Sequence, residues 1–303
     1  MGVEGKYAGF SLALHAGGVA TIKLDRDPTA RNGFTAPMKR DLTDAIHELN
    51  FRPDVHVLVI SGEHGTFSAG DDVKNYYNTK HWDEARGRNL LEERRLDELG
   101  LYDRLRLSSQ KLTAAIYETD LITIAAIDGV CIQSAFSIAL ACDFRLATPA
   151  ARLGSGTLRF GFQPDENGHF LLVRQIGVSR TLDFLINARL ISGVQALDWG
   201  LVTELVEPDQ LETRAMEMAQ IIANGPMVAT RMLKRAVYRA YELDFASAAE
   251  DIALRTAMTD HHPDTAEGVA AWIEKRPPEF NGPKKAAQTA YSPGRSMGEN
   301  PKP

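Results

Sequence analysis

Residues 125–148 read AAIDGVCIQSAFSIALACDFRLAT. The run that leads into them from Ile122 is apolar and rich in β-branched residues, as in a parallel strand buried on both faces. It stops at Asp128-Gly129. A short loop, Val130–Gln133, follows. Ser134–Asp143 is apolar on all sides, the pattern of a buried helix, and Phe144–Thr148 reads as the next strand. The succession puts a helix N-terminus at the end of a buried strand. That terminus carries unpaired N–H groups and the positive end of the helix dipole. It is suited to hold an oxygen on which negative charge develops.

Upstream, a second strand-to-turn junction has a similar character. VHVLVIS (55–61) is a continuous apolar strand, and it runs into HGTFSAGDD (64–72). Gly70 allows a sharp turn, and Asp71 and Asp72 follow it. Two readings fit. The N–H of Asp71 faces a cavity as an oxyanion donor, or one of the carboxylates caps a helix. No neighbouring ligands complete a metal site around the two acids. Around these segments GVATIKLDR (18–26) reads as a strand. Helical spacing of Met38, Leu42, Ala45, Ile46 and Leu49 predicts a helix over 36–50. The pattern is α/β with crossovers.

Residues 78–111 are heavily charged, with leucines at roughly helical intervals. They read as a helical excursion or a lid over the substrate. Strand patterning ends near residue 206. Helices are expected over 208–225, 226–242, 244–260 and 263–275. The tail at 283–303 is rich in Pro, Gly and Lys and is expected to be flexible. The organisation is thus a core over 1–206, a helical region over 207–282, and the tail.

The 303-residue chain carries a net charge of −6, which gives no general reason to expect nucleic acid or an anionic membrane as partner. No apolar run approaches the ~20 residues of a membrane helix. The first residues lack the pattern of a secretory signal. Cys131 and Cys142 lie in apolar surroundings and read as free buried thiols, which points to the cytoplasm.

TFSAGDDVKNY and AAIDGVCIQSAFSIALACDFRLAT together resemble the two oxyanion motifs of the crotonase (enoyl-CoA hydratase/isomerase) superfamily. LISGVQALDWGLVTELVEPDQL (190–211) and EGVAAWIEKRPPEFNG (267–282) are similar to its later segments, in the same order. The resemblance implies a crotonase-like spiral of ββα units with a C-terminal helical trimerisation region. It implies a homotrimer or homohexamer acting on an acyl-CoA thioester, with coenzyme A as part of the substrate and no separate cofactor or metal. The oxyanion donors would be the backbone N–H groups of Asp71 and Ser134. Ala69, Gly70, Gln133, Ser137, Thr157 and Phe280 would contact the substrate.

The chain also departs from the family. Gln133, Ser134 and Ala135 stand where glycines are usual. The two glutamates of hydratases fall on Ser137 and Thr157, whose hydroxyls are not bases at neutral pH. Asp165 occupies a place where some dehalogenases and ring- or diketone-cleaving members carry a catalytic aspartate. On a helix starting there, His169 would share its face. The expected activity is therefore isomerisation or C–C or C–X hydrolysis, through an enolate-type intermediate. Three alternatives remain open: a CoA-independent β-diketone hydrolase, a hydratase with relocated acid and base, and a non-catalytic trimeric binding protein.

Overall fold

A computed structural model of the chain describes residues 4–72, 102–103, 105–161, 163–164 and 166–282. Most of the 78–111 segment, Asp165 and the 283–303 tail lie outside the described residues. Seven strands form the main sheet, in the order β1-β2-β3-β4-β5-β7-β10. These are β1 (Gly5–Tyr7), β2 (Phe10–His15), β3 (Val19–Leu24), β4 (Val57–Gly62), β5 (Ile122–Ile127), β7 (Phe144–Ala147) and β10 (Glu204–Leu205). The first three are joined antiparallel, and the pairs from β3 to β10 are parallel. A smaller sheet, β6-β8-β9, is built from Val130–Ile132, Arg152–Gly154 and Leu190–Ser192.

The helices are α1 (Ala36–Asn50), α2 (Gln110–Glu118), α3 (Ser134–Ala141), α4 (Gly168–Ile176), α5 (Val178–Ile186) and α6 (Gly193–Asp198). Four more close the chain: α7 (Leu211–Ala223), α8 (Met227–Arg239), α9 (Phe245–Asp260) and α10 (Pro263–Glu274). Outside 78–111, the expected helices and central strands are found, most with ends moved by one to three residues. The small sheet and the β1–β2 hairpin escaped the sequence reading. The three-residue strands β1, β6, β8 and β9 are too short to show a period.

Two apolar cores flank the main sheet. Val57 and Val59 of β4, with Ile122, Ile124 and Ala126 of β5, pack under α7. Leu58 and Ile60, with Ala125 and Ile127, face the larger core that includes α1, α2 and α3. Successive residues of a strand point to opposite faces, so both sets must be apolar. That is why these strands read as unbroken hydrophobic runs. Ala215, Ala219 and Ala223 recur at helical spacing on α7 and are buried against the sheet.

Helix α8 is fastened to the sheet by polar groups. Lys234 Nζ donates to the Leu121 carbonyl at 2.7 Å and to Asp143 Oδ2 at 2.8 Å. The Tyr238 hydroxyl donates to Asp143 Oδ1, and Thr123 donates to Asp143 from both its N–H and its hydroxyl. Arg145 is buried beside them and closes the C-terminal end of α3. It donates to the carbonyls of Ala139, Cys142 and Leu201. Among the described residues no helix is long and apolar enough to cross a membrane.

Candidate active site

The two motif-bearing loops lie side by side because their backbones are laced together. Phe67 N donates to the Asp128 carbonyl and Ser68 N to that of Val130, both at 2.8 Å. Ile132 N returns to the Ser68 carbonyl at 3.2 Å. One turn further, Phe34 N donates to the Gly70 carbonyl and Asp72 N donates to the Phe34 carbonyl. Gly70 makes this crossing feasible. Its φ is +81°, and a Cβ there would lie 2.6 Å from Gln133 Cβ and 3.2 Å from Ser134 N. The turn before Asp71 therefore touches the start of α3.

Ser134 is the first residue of α3, so its N–H precedes any intrahelical partner. Its hydroxyl is buried and has no partner among the described residues. The Gln133 carbonyl already accepts from Phe136 N and Ser137 N. Gln133 itself is held at φ 58°, ψ −128°, a conformation ordinarily left to glycine. Its side chain folds onto the next loop and accepts from the Ser155 hydroxyl and Gly156 N at 3.2 Å each.

Three buried or half-buried side chains brace the first loop. Asn32 donates to the carbonyls of Thr66 and Glu63, and Ser68 donates its hydroxyl to the Asn32 carbonyl at 2.8 Å. Ser68 Oγ in turn accepts from Gly70 N at 3.1 Å. Arg26 pairs with Asp72 at 2.7 Å and also donates to the Gly33 carbonyl.

Behind Asp71 lies an ion-pair chain. Lys39 of α1 contacts Asp71 Oδ1 at 2.6 Å and pairs with Glu166 Oε1. The lysine and the glutamate are buried, while the Asp71 side chain is 37 % exposed. Burial pulls the Lys39 ammonium towards the neutral form. Glu166 and then Asp71 outweigh this and hold it above the ordinary lysine range. Among the described residues no group of three or more His, Cys, Asp or Glu side chains is placed to hold a metal.

The enoyl-CoA hydratase/isomerase family model matches residues 15–284. The chain belongs to the enoyl-CoA hydratase/isomerase family. A probable enoyl-CoA hydratase of Mycobacterium leprae is 31 % identical over 265 residues, covering 86 % of this chain and 94 % of that protein. The enoyl-CoA hydratase domain-containing protein 2 of Bos taurus is 33 % identical over 270 residues, covering 88 % and 85 %. A crystal structure of a putative enoyl-CoA hydratase from Streptomyces coelicolor superposes with a TM-score of 0.81 at 29 % identity, covering 92 % and 96 %. The crotonase-type α/β fold and an enzyme of this family are thereby established.

Within that family frame, the structure gathers Ala69, Gly70, Asp71, Gln133, Ser134 and Thr157 around the two loops. Ala69 N is tied to the Arg31 carbonyl at 2.9 Å, and the Thr157 hydroxyl lies 3.1 Å from that of Ser155. Ser137 is buried on α3, and a Cβ at Gly168 would overlap its Oγ. The hydroxyl thus faces the first turn of α4. That helix starts at Gly168, just after Asn167, later than the start expected near residue 165. His169 is exposed in its first turn. Asp165 lies outside the described residues. Phe280 packs elsewhere, against Gly268 in a pocket that also includes Pro226, His262 and Val269.

The sequence alone assigns no role to Lys39, Asn32, Ser68 or Glu166. The one local signal for Lys39 is its position between Met38 and Leu42 on the apolar side of α1.

Proposed function

We propose that the enzyme acts on an acyl-CoA thioester through an enolate-type intermediate. The thioester oxygen accepts from the N–H groups of Asp71 and Ser134. The observation that carries this reading is the contact of the Gly70 turn with the N-terminus of α3. The Phe34 bonds use the Gly70 carbonyl and the Asp72 amide, so the N–H of Asp71 is left on the opposite side of that segment. Preorganised amides of this kind contribute about 3–4 kcal/mol each to transition-state stabilisation. Ser137 and Thr157 in place of the two usual acids favour isomerisation or C–C or C–X hydrolysis over hydration.

The same reading includes a homotrimer or homohexamer. Val178, Leu182 and Ile186 form an exposed apolar stripe on α5, continued by Leu190, Val194 and Leu197. Such a stripe asks for a partner surface. The two buried free cysteines suit a reducing cytoplasm.

Thermal-shift titration with CoA, acetyl-CoA, crotonyl-CoA and small cyclic diketones tests the ligand class. Thioesters should raise the melting temperature and diketones should not. A shift with diketones alone moves the enzyme to the CoA-independent hydrolases. Ser134→Pro removes one donor. Gln133 at φ 58°, ψ −128° is an unusual residue to precede proline, so the variant is first shown to be folded by circular dichroism. It should lower turnover of any substrate so found by about 10²–10³-fold, while Ser134→Ala keeps most of it. Equal turnover in a folded Ser134→Pro enzyme would remove the second donor from the mechanism.

A further inference from the structure

The family position of Asp71 needs only its amide, yet this chain places a carboxylate there and ties it to a buried lysine. Covalent geometry keeps that carboxylate within a few ångströms of its own N–H. A substrate carbonyl held by the N–H therefore brings its α-carbon close to the carboxylate. Of the three charged groups in the chain Glu166–Lys39–Asp71, only Asp71 has appreciable exposure, at 37 % against 6 % and 1 %. We propose that the Asp71 carboxylate is the proton acceptor of this site, with Lys39 and Glu166 as its positioning residues.

The proposal rests on the acyl-thioester reading above, and charge supports it. Two carboxylates share the Lys39 ammonium. An enolate formed beside an unchanged Asp71 carboxylate would put two negative charges together, which is costly in a partly buried site. If the substrate proton passes to Asp71, that carboxylate becomes neutral as the oxyanion forms. Lys39 cannot take that proton, because its neighbours keep it protonated. The hydroxyls of Ser137 and Thr157 are not bases near neutrality.

The step balances without a co-reactant. The C–H bond α to the carbonyl breaks and its electron pair forms the C=C bond. The carbonyl π pair moves to the oxygen held by the two amides, and the proton bonds to Asp71. Return of the proton to the same carbon gives exchange. Return to the far end of a conjugated system moves a double bond.

The test is deuterium uptake into butyryl-CoA in D2O, read by mass spectrometry, with butyryl-CoA affinity measured separately by calorimetry. The wild-type enzyme should bind and exchange. Asp71→Asn and Asp71→Ser both keep the N–H, and both should lose about 10²–10⁴-fold in exchange at saturation with affinity held within about threefold. Lys39→Met should lower the saturated rate at least about tenfold at unchanged affinity, and Lys39→Arg should recover part of it. A merely structural lysine would change the melting temperature and leave the saturated rate of the folded enzyme alone. Near-wild-type exchange in Asp71→Asn overturns the proposal, as does loss of exchange in Asp165→Asn with Asp71→Asn intact. Wild type that binds without exchanging also overturns it, whereas wild type that does not bind butyryl-CoA sinks the thioester reading itself.

Discussion

Gly70 and Gln133 are packed so closely that a Cβ on the glycine would lie 2.6 Å from Gln133 Cβ and 2.7 Å from the Ile132 carbonyl oxygen. Two requirements meet at one residue. The turn needs φ near +81°, and the neighbouring loop leaves no room for a side chain. Gly70→Ala should therefore combine left-handed strain of about 1–2 kcal/mol with overpacking of about 1–3 kcal/mol. Urea unfolding should show a loss of at least about 2 kcal/mol. A smaller loss would mean that the two loops can separate, and with them the proposed oxyanion site.

Gln133 shows the complementary situation. Its backbone is in a glycine-favoured region, so it carries strain of order 1–3 kcal/mol. Its side chain offsets part of this through Ser155 and Gly156. Gln133→Gly loses those bonds but removes the strain. Gln133→Ala loses the bonds and keeps the strain. The alanine variant should be the less stable of the two by about 1 kcal/mol or more in thermal or urea unfolding. The reverse order would show that the backbone at position 133 carries no glycine-type strain.

Much of the fold was legible because its elements announce themselves locally. The runs in β4 and β5 are apolar on both faces, since α7 covers one side of the sheet and the α1 core the other. Helix α1 was readable to its ends because Met38, Leu42 and Leu49 recur on one side. The two loops that pack together at Gly70 and Ser134 were marked in the sequence because glycine and a helix start have backbone meaning. What was not legible depends on distant partners. Lys39 is buried only because Glu166, far along the chain, and Asp71 supply charge to it. Arg145 is buried by carbonyls from α3 and from Leu201. Nothing near Lys39 in sequence announces its two partners, and the Leu201 carbonyl is likewise distant from Arg145. The isolation of Phe280 from the loops of this chain is likewise a matter of tertiary placement.

The free cysteines supply a pH dependence. Cys142 is fully buried, and desolvation is the main cause that pushes its thiol up to about 12, from about 9. Cys131, also buried, is raised for the same first reason. The unfolded chain therefore loses these protons first. Stability is full below pH about 9 and falls as the pH rises towards about 12, with a slope of up to about 1.4 kcal/mol per pH unit for each thiol. Urea midpoints measured from pH 8 to 10 should decline in the wild type. Cys142→Ala should show a shallower decline after its own loss of stability at pH 8 is subtracted. A parallel decline would place the alkaline sensitivity on other groups.

The family resemblance implies that hydratases carry glutamates at the places of Ser137 and Thr157. Ser137→Glu and Thr157→Glu together would give hydration if those carboxylates were all that hydration requires here. The packing argues otherwise. Ser137 is buried, and its Oγ occupies the space in which a Cβ at Gly168 would stand. A glutamate there must displace the start of α4 or bury a charge, and overpacking alone costs about 1–3 kcal/mol. Thr157 is half-buried at the start of a 3-10 turn, so its substitution should be better tolerated. The expected outcome is a clear loss of stability for Ser137→Glu and little for Thr157→Glu. No useful hydration of crotonyl-CoA is expected from the double variant, as followed by loss of enoyl-thioester absorbance. Efficient hydration by a folded double variant would show that the cleft keeps hydratase geometry and that two substitutions alone separate this enzyme from hydration.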